Sequence, residues 1–189
     1  MNFTTTALSA LTILGSVVAP VSAQSTYGLD SGHQGIVNHV KANGFSFVVN
    51  PEECWGTDLS QFDADLTETP AGWYDSYNRK IVICQQNKSR PGVVQHDWDE
   101  FDLDTVRHEA HHMVQDCMTG VQDGELGKVY KSPRTLAGNV LSTETYHSIL
   151  NDWYRTQTDH IKTMELEAFA VAEMNDTAEQ VRDIKKYCF

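Results

Sequence analysis

The sequence predicts an α+β fold, in which a small sheet from the N-terminal half packs against helices from the C-terminal half. A mixed pattern at residues 36–49 ends in a strand-like stretch, and residues 73–84 have the pattern of a hairpin, whereas helical periodicity is found at 104–120, 143–156 and 159–174. The chain has 189 residues, of which 40% are hydrophobic, and this amount of apolar side chain suffices for one core. A single domain is therefore expected.

The N-terminus has the pattern of a secretory signal peptide. An uncharged apolar run at residues 7–18 is followed by the small-residue stretch VSA at 21–23, which is typical of a cleavage site. The run is shorter than the roughly 20 apolar residues that a membrane-spanning helix needs, so a membrane anchor is the less favoured interpretation. We expect residues 1–23 to be the signal peptide and 24–189 to be the mature domain, either extracellular or periplasmic.

The charge of the chain excludes several classes of partner. The formal net charge is -12, and the basic residues are scattered, so no basic surface is expected that could neutralise phosphates. We expect no nucleic-acid partner and no contact with a membrane after signal cleavage. The protein is expected to be a monomer.

Four cysteines, an even number, are typical of an exported protein with two disulfide bonds. None of their spacings resembles the CxxC pairs of a four-cysteine zinc site. Three pairings are open, and the one we favour joins Cys54 to Cys84 and Cys117 to Cys188.

The predicted strands come first along the chain. Residues 36–49 end in FSFVV, which predicts a strand. The sequence WYDSYNRKIVIC at 73–84 predicts a hairpin, because aromatic residues lead into a turn at 75–78 and an alternating β-branched strand follows. Residues 85–102 have the composition of a loop.

The most strongly predicted helix covers residues 104–120, with Asp102 or Asp104 as its N-cap and Gly120 at its C-terminal end. Residues 121–141 carry Gly, Pro and Ser and are expected to be irregular. Two further helices are predicted later in the chain, at about 143–156 and 159–174.

The helix at 104–120 carries a candidate metal site. At 100° per residue, His108 and His112 share a face opposite an apolar arc, whose members are Leu103, Val106, Ala110, Met113, Val114 and Cys117. Glu109 lies roughly 60° from His112 but roughly 160° from His111, so only the pair of His108 and His112 has a carboxylate beside it. This is the HExxH pattern, in which two imidazoles bind zinc and the glutamate acts on zinc-bound water. His111 is then a bystander or a hydrogen-bond partner of a ligand.

A third zinc ligand is expected from a later helix. A nearby histidine, as in HExxHxxGxxH, is excluded because Gln115 and Met118 stand at those positions. The helix at 159–174 offers Glu165, Glu167 and Glu173. The same-face neighbours of Glu165 are all apolar, namely Ile161, Met164, Ala168, Phe169 and Ala172. A carboxylate in such a stripe is costly unless it binds a metal, so Glu165 is preferred; Glu167 has polar neighbours that favour solvent and remains the alternative.

With HEAHH at 108–112 and ELEAFAVA at 165–172, the chain resembles zincin metallopeptidases of the glutamate-ligand type, the gluzincin-like group. Several of those families have the downstream motif ExxAD, whose glutamate is the third zinc ligand. Glu165 and Ala168 match that motif. Phe169 departs from it, at the position where the family often has an aspartate that orients a zinc-bound histidine. The resemblance covers about a third of the chain.

The resemblance implies a zincin-like fold with an edge strand above the active-site helix, which binds extended peptide by strand addition. Residues 79–84 are the candidate for this strand, with an ordinary core strand as the open alternative. Gln115 is similar to the final residue of the HExxHxxQ variant found in some of these proteins.

These patterns together predict a secreted zinc metallopeptidase that hydrolyses peptide or protein substrates. One Zn²⁺ is held by His108, His112 and Glu165, and Glu109 acts as general base toward the zinc-bound water. Four residues are candidates to stabilise the oxyanion: Tyr146, His147, Tyr154 and His160. One alternative is a secreted binding or inhibitory protein on a zincin scaffold with a structural or degenerate metal site. Another is a zinc hydrolase that acts on a non-peptide amide.

Overall fold

The computed structural model of the chain describes residues 26–55, 70–120 and 125–189, so the predicted signal peptide at 1–23 lies outside the described residues. The described part confirms an α+β fold with six α-helices and a three-stranded sheet. In chain order the elements are α1 (Ser31–Ala42), β1 (Ser46–Val49), β2 (Gly72–Asp75), β3 (Lys80–Ile83), α2 (Glu100–Thr119), α3 (Pro133–Val140), α4 (Thr143–Ser148), α5 (Asp159–Glu173) and α6 (Thr177–Tyr187). None of the described helices is both long and apolar enough to cross a membrane.

The sheet has the strand order β1-β3-β2. β3 pairs in parallel with β1 and antiparallel with β2, so the predicted hairpin is confirmed. Of the two interpretations of residues 79–84, the core strand is confirmed and the edge strand is wrong, because β3 has a partner on each side and Ile81, Val82 and Ile83 are fully buried. The edge strand that approaches α2 is β2.

Helix α2 lies at the centre of the molecule. It packs on α5, α6, β2, α1 and β3, and every residue from 105 to 116 is buried. The sequence predicted one buried face, and this expectation is wrong because α5 and β2 cover the side that carries the imidazoles. The helix begins at Glu100 rather than near residue 104, since the side chain of Asp99 caps it by accepting from Asp102 N–H. Gly120 ends the helix as predicted.

Three other helix predictions need correction. Residues 133–140, expected to be irregular, form α3, which has Pro133 in its first turn, where a proline costs no hydrogen bond. The helix predicted at 143–156 is α4 followed by a π-helical segment at Ile149–Trp153. Helices α1 and α6 have no counterpart among the predictions, whereas α5 matches its predicted range to within one residue.

Both disulfide bonds have the favoured pairing. Cys54–Cys84 joins a 3₁₀ turn to the residue that follows β3, and Cys117–Cys188 joins the C-terminal end of α2 to the last helix. The second bond therefore fixes the helix that carries the HExxH pattern against the C-terminus of the chain.

Arg107, next to the candidate ligand His108, joins three helices. Its Nε donates to the carbonyl of Ala172 near the end of α5 (2.8 Å), and its Nη1 lies 2.8 Å from Nε2 of His33 on α1. A guanidinium only donates, so His33 Nε2 accepts, and His33 Nδ1 donates to Asp30 at 2.6 Å. Burial lowers the pKa of His33, in keeping with this neutral ring. The network holds α1 and α5 at fixed positions around α2.

Candidate metal centre

Packing of α5 against α2 brings together the three predicted zinc ligands. His108 and His112 lie one turn apart on α2, and their Nε2 atoms are 3.0 Å apart. Glu165 Oε2 on α5 lies 3.3 Å from Nε2 of His108 and 3.5 Å from Nε2 of His112. Among the described residues, these three form the one group of His, Cys and acidic side chains that could hold a metal ion.

The separations of these atoms fit a tetrahedral zinc ion. Ligand atoms about 2.0 to 2.1 Å from zinc at tetrahedral angles are about 3.3 Å apart, and the observed separations of 3.0, 3.3 and 3.5 Å bracket that distance. Glu165 Oε2 is buried, and its polar neighbours among the described residues are the two imidazole nitrogens at 3.3 and 3.5 Å. Such an oxygen is costly unless a cation faces it. Two imidazoles and one carboxylate are also the ligand set of catalytic zinc sites that keep a position for water.

Gln115 determines which nitrogen of His112 faces the site. Its Nε2 donates to the carbonyl of Met164, the residue before Glu165, at 3.0 Å. Its Oε1 must then be the atom that lies 2.8 Å from His112 Nδ1, so Nδ1 carries the proton and donates it. Nε2 is therefore the nitrogen of His112 that can bind a metal once it has lost its proton. One carboxamide thus orients a ligand on α2 and links it to the ligand helix α5.

Electrostatic coupling favours a cation at this position. Burial disfavours the charged form of His112, yet the neighbouring Glu165 carboxylate raises the pKa of His112 to about 9. Burial likewise disfavours the Glu165 carboxylate, but the charge of His112 holds the pKa of Glu165 well below its usual range. The metal-free site therefore holds a proton between these side chains at neutral pH.

Zinc binding should weaken as the pH falls. Because the pKa of metal-free His112 is raised to about 9, its proton must leave when zinc binds at neutral pH. The apparent zinc affinity should therefore fall about tenfold per pH unit between about pH 8 and about pH 6.5. Competition with a chelator of known affinity at several pH values measures this slope. An affinity that does not change over this range would contradict the assignment of His112 as a ligand.

His108 has a different environment from His112. Its Nδ1 is buried, and no described residue forms a hydrogen bond with it. The ring of Phe169 packs against the ring of His108 with centroids 4.4 Å apart. Phe169 therefore places an aromatic ring against His108, at the position of the ExxAD motif where an aspartate often orients a zinc-bound histidine.

Glu109, the predicted general base, lies beside the ligands and against the edge strand. Burial raises the pKa of Glu109, and the imidazoles of His108 and His112 and a hydrogen bond from Tyr74 N–H oppose this rise. The hydroxyl of Tyr74 donates to Asp116 on α2 at 2.5 Å. Tyr74 therefore attaches β2 to α2 at two points and gives the carboxylate of Glu109 a fixed backbone donor.

Gly72 allows β2 to approach α2 this closely. A Cβ at this position would lie 2.6 Å from the carbonyl oxygen of Val82, 2.7 Å from Cγ2 of Thr105 and 3.3 Å from Cγ of Glu109. Neither Gly72 nor Tyr74 is among the residues predicted from the sequence. An isolated glycine at the start of a strand pattern is a signal of close backbone approach that could have identified the first.

Gly72→Ala should destabilise the fold and displace β2 from Glu109. The added Cβ would collide with a backbone oxygen, and overpacking of this kind costs about 1 to 3 kcal/mol. Chemical denaturation measures the loss. The control is Gly138→Ala, because no atom lies within 4 Å of a Cβ at that position in α3 and alanine is the better helix former. Equal stabilities of the two variants would contradict this account of the strand.

His111 and Glu167 form a second buried pair next to the candidate ligands. His111 Nε2 donates to Glu167 Oε1 at 3.0 Å, and the same oxygen accepts from Val129 N–H at 2.8 Å. Both side chains have no exposed surface, so the expectation that Glu167 reaches solvent is wrong. Burial lowers the pKa of His111. Glu167 therefore links α5 to α2 and to the segment at 125–129. Glu165, in contrast, faces the imidazoles of His108 and His112.

The candidate ligands lie at the base of a cleft with a volume of about 590 Å³. The cleft is lined by residues 70–74, by the face of α2 from Phe101 to His112, and by the aromatic residues Trp153, Tyr154 and Phe169. Of the four candidates for oxyanion stabilisation, Tyr154 is the one that lines this cleft. Its hydroxyl donates to the Glu165 carboxylate, and burial raises the pKa of Tyr154.

The other three candidates are engaged elsewhere. Tyr146 contacts the ring of His147 and packs against an apolar cluster formed by Ala137, Ile149, Leu166 and Ala170. His160 Nε2 lies 2.8 Å from the carbonyl of Leu126. Tyr154 is therefore the residue of the four that is positioned to meet a bound molecule.

Comparison with known proteins identifies a family for nearly all of the described chain. The family model "Domain of unknown function (DUF8637)" matches residues 26–189. No curated protein and no solved structure matches the chain. The matched range contains both disulfide bonds, the HExxH helix and Glu165. The chain therefore belongs to the DUF8637 family, whose domain is one of unknown function.

Proposed function

We propose that the protein is a zinc-dependent metallopeptidase with a zincin-like site. The observation that carries the proposal is the convergence of His108, His112 and Glu165 at the base of a cleft, with the buried carboxylate of Glu109 beside them. A purely structural zinc ion has four protein ligands and needs no general base beside it. The open cleft and the neighbouring base favour hydrolysis.

The proposed role of each residue follows from its position. A zinc ion held by His108, His112 and Glu165 would supply an acidified water and would polarise the carbonyl of a substrate. Glu109, whose carboxylate is buried beside these residues, would accept the proton of that water and later donate it to the leaving amine. Gln115 holds His112 in the tautomer that presents Nε2 to the ion. With Glu165 bound to the ion, the Tyr154 hydroxyl, which donates to that carboxylate in the metal-free site, would be released to donate to the oxyanion that develops on the substrate.

The fold and the compartment are part of the same proposal. The edge strand β2, which holds Glu109 through Tyr74 N–H, supports a zincin-like arrangement in which the substrate lies beside that strand. Two disulfide bonds support secretion, because they persist in oxidising compartments.

The test is hydrolysis of casein and of a mixed peptide library by zinc-loaded protein. We expect cleavage that a chelator abolishes and added zinc restores. A protein that binds one zinc ion tightly but cleaves neither casein nor any peptide would contradict the proposal. That outcome would favour a binding protein on the same scaffold.

Tyr154→Phe should lower kcat by about 10- to 1,000-fold with little change in zinc affinity, because it removes one donor to the oxyanion. The ring remains, so the cleft keeps its shape. Steady-state kinetics and chelator competition measure the two quantities separately. Loss of zinc with unchanged kcat per bound zinc would instead assign the hydroxyl of Tyr154 to holding Glu165.

A further inference from the structure

The cleft has an aromatic wall next to the candidate ligands, formed by Phe169, Trp153 and Tyr154. The ring of Phe169 packs on His108, with centroids 4.4 Å apart. Phe169 in turn contacts Trp153 at 5.6 Å and Tyr154 at 6.4 Å between ring centroids. The wall therefore begins at a ligand imidazole and extends outward along one side of the cleft.

Trp153 leaves a large apolar surface uncovered at this wall. Its side chain is 49% exposed and lines the cleft, although it lies only one ring away from His108. A second aromatic side chain, Phe101, is 51% exposed and lines the cleft from α2. Phe101 precedes His108 by seven residues, which is about 10 Å along the helix. Exposed aromatic surface concentrated in a concave site is typical of surface that a ligand covers.

The charges that line the cleft are all acidic. They belong to Asp104, Glu109 and Glu165, and no Lys or Arg is among the described residues that line it. With a divalent cation bound, the formal sum of the lining charges is +2 from the ion and -3 from the carboxylates, or -1, and Arg107, which lies 3.3 Å from Asp104 but does not line the cleft, offsets part of this charge. An acidic side chain entering the cleft would therefore meet like charge without a basic partner, whereas a neutral apolar one would meet the aromatic wall.

From these two features we infer the substrate class of the site, an inference that rests on the proposed function. The cleft takes peptides with an aromatic or large aliphatic side chain next to the scissile bond and discriminates against peptides with an acidic side chain there. Trp153 and Phe169 are the specificity-determining residues. Because the wall covers a bulky apolar side chain, kcat/KM should be about 10- to 100-fold higher for a peptide with such a side chain than for the same peptide with alanine.

The test uses quenched fluorescent peptides that are identical except for Phe, Leu, Ala or Asp on either side of the scissile bond. We expect kcat/KM to decrease in the order Phe, Leu, Ala, Asp at one of the two positions. Trp153→Ala should reduce the ratio of Phe to Ala peptides at least fivefold, and Trp153→Phe should keep most of that ratio because a ring remains. The control is Tyr77→Ala, since Tyr77 is 75% exposed in the β2–β3 turn, away from the cleft.

Equal kcat/KM for Phe, Ala and Asp peptides would overturn the inference, as would a Phe preference that Trp153→Ala leaves intact. A second measurement separates this failure from failure of the proposed function. Benzyl, methyl and carboxymethyl hydroxamates bind zinc without being hydrolysed, and calorimetry measures their affinity for the zinc-loaded protein. A protein that cleaves no peptide but prefers the benzyl compound, with a preference that depends on Trp153, would support ligand binding at the aromatic wall. The same result would refute the proposed hydrolysis. If the protein cleaves peptides but binds the benzyl compound no more tightly than the other two, the proposed hydrolysis would stand and the inferred role of the aromatic wall would be refuted.

Discussion

Replacing Glu109 with Gln should abolish peptide hydrolysis while zinc remains bound. The carboxamide has nearly the same shape as the carboxylate but cannot accept a proton from water, so kcat should fall about 100- to 10,000-fold. Glu109 is buried beside the ligands without being one of them, so the metal should stay. Peptide assays combined with elemental analysis of the same preparation measure both effects.

Retention of more than a third of the activity in Glu109→Gln would remove this residue from the mechanism. Loss of zinc from the variant would instead mean that Glu109 supports the ion directly. Thermal unfolding of the variant with and without zinc provides the control, because an intact metal site should raise the unfolding temperature as in the unchanged protein.

Replacing Glu165 with Ala should lower zinc affinity at least 100-fold and remove the stabilisation that zinc provides. Two imidazoles alone leave the ion without its anionic ligand, and the cation that His112 forms in the metal-free site loses its partner. For the unchanged protein, zinc at a concentration about 1,000 times its Kd should add about 4 kcal/mol to the free energy of unfolding. Chelator competition and the zinc-dependent shift in unfolding temperature measure both quantities.

Two variants on the same helix serve as controls for Glu165→Ala. Glu167→Gln keeps an oxygen that can accept from His111 and Val129, so it should retain zinc. Glu173 is exposed on α5, and Glu173→Gln should change neither zinc affinity nor stability. If Glu167→Gln lost zinc while Glu165→Ala kept it, the assignment of the third ligand would have to be reversed.

Local periodicity was sufficient to predict that the two candidate ligands on α2 lie side by side. His108 and His112 are four residues apart, so their meeting depends only on the helical repeat, and the direction of Glu109 follows from the same geometry. Glu165 could be predicted because its neighbours on α5 are apolar, and its carboxylate does lie within 3.5 Å of both ligand imidazoles. These inferences required no knowledge of how the helices pack.

Contacts between distant segments could not be predicted in the same way. The helical wheel of α5 gives Glu167 polar neighbours, yet His111 and Val129 N–H enclose it, from elements 56 and 38 residues away in sequence. The position of β3 at the centre of the sheet depends on pairing with β1, which the hairpin pattern does not contain. The roles of Gly72 and Tyr74 likewise exist only once β2 lies against α2.

The most direct test of this account is the zinc content of the purified protein and of its His112→Ala variant. Elemental analysis should find close to one zinc ion per chain in the unchanged protein, because the ligand atoms are 3.0 to 3.5 Å apart around one point. In His112→Ala the zinc content should fall close to zero. A protein that takes up no zinc after dialysis against it, or a variant that holds as much zinc as the unchanged chain, would contradict the assigned centre.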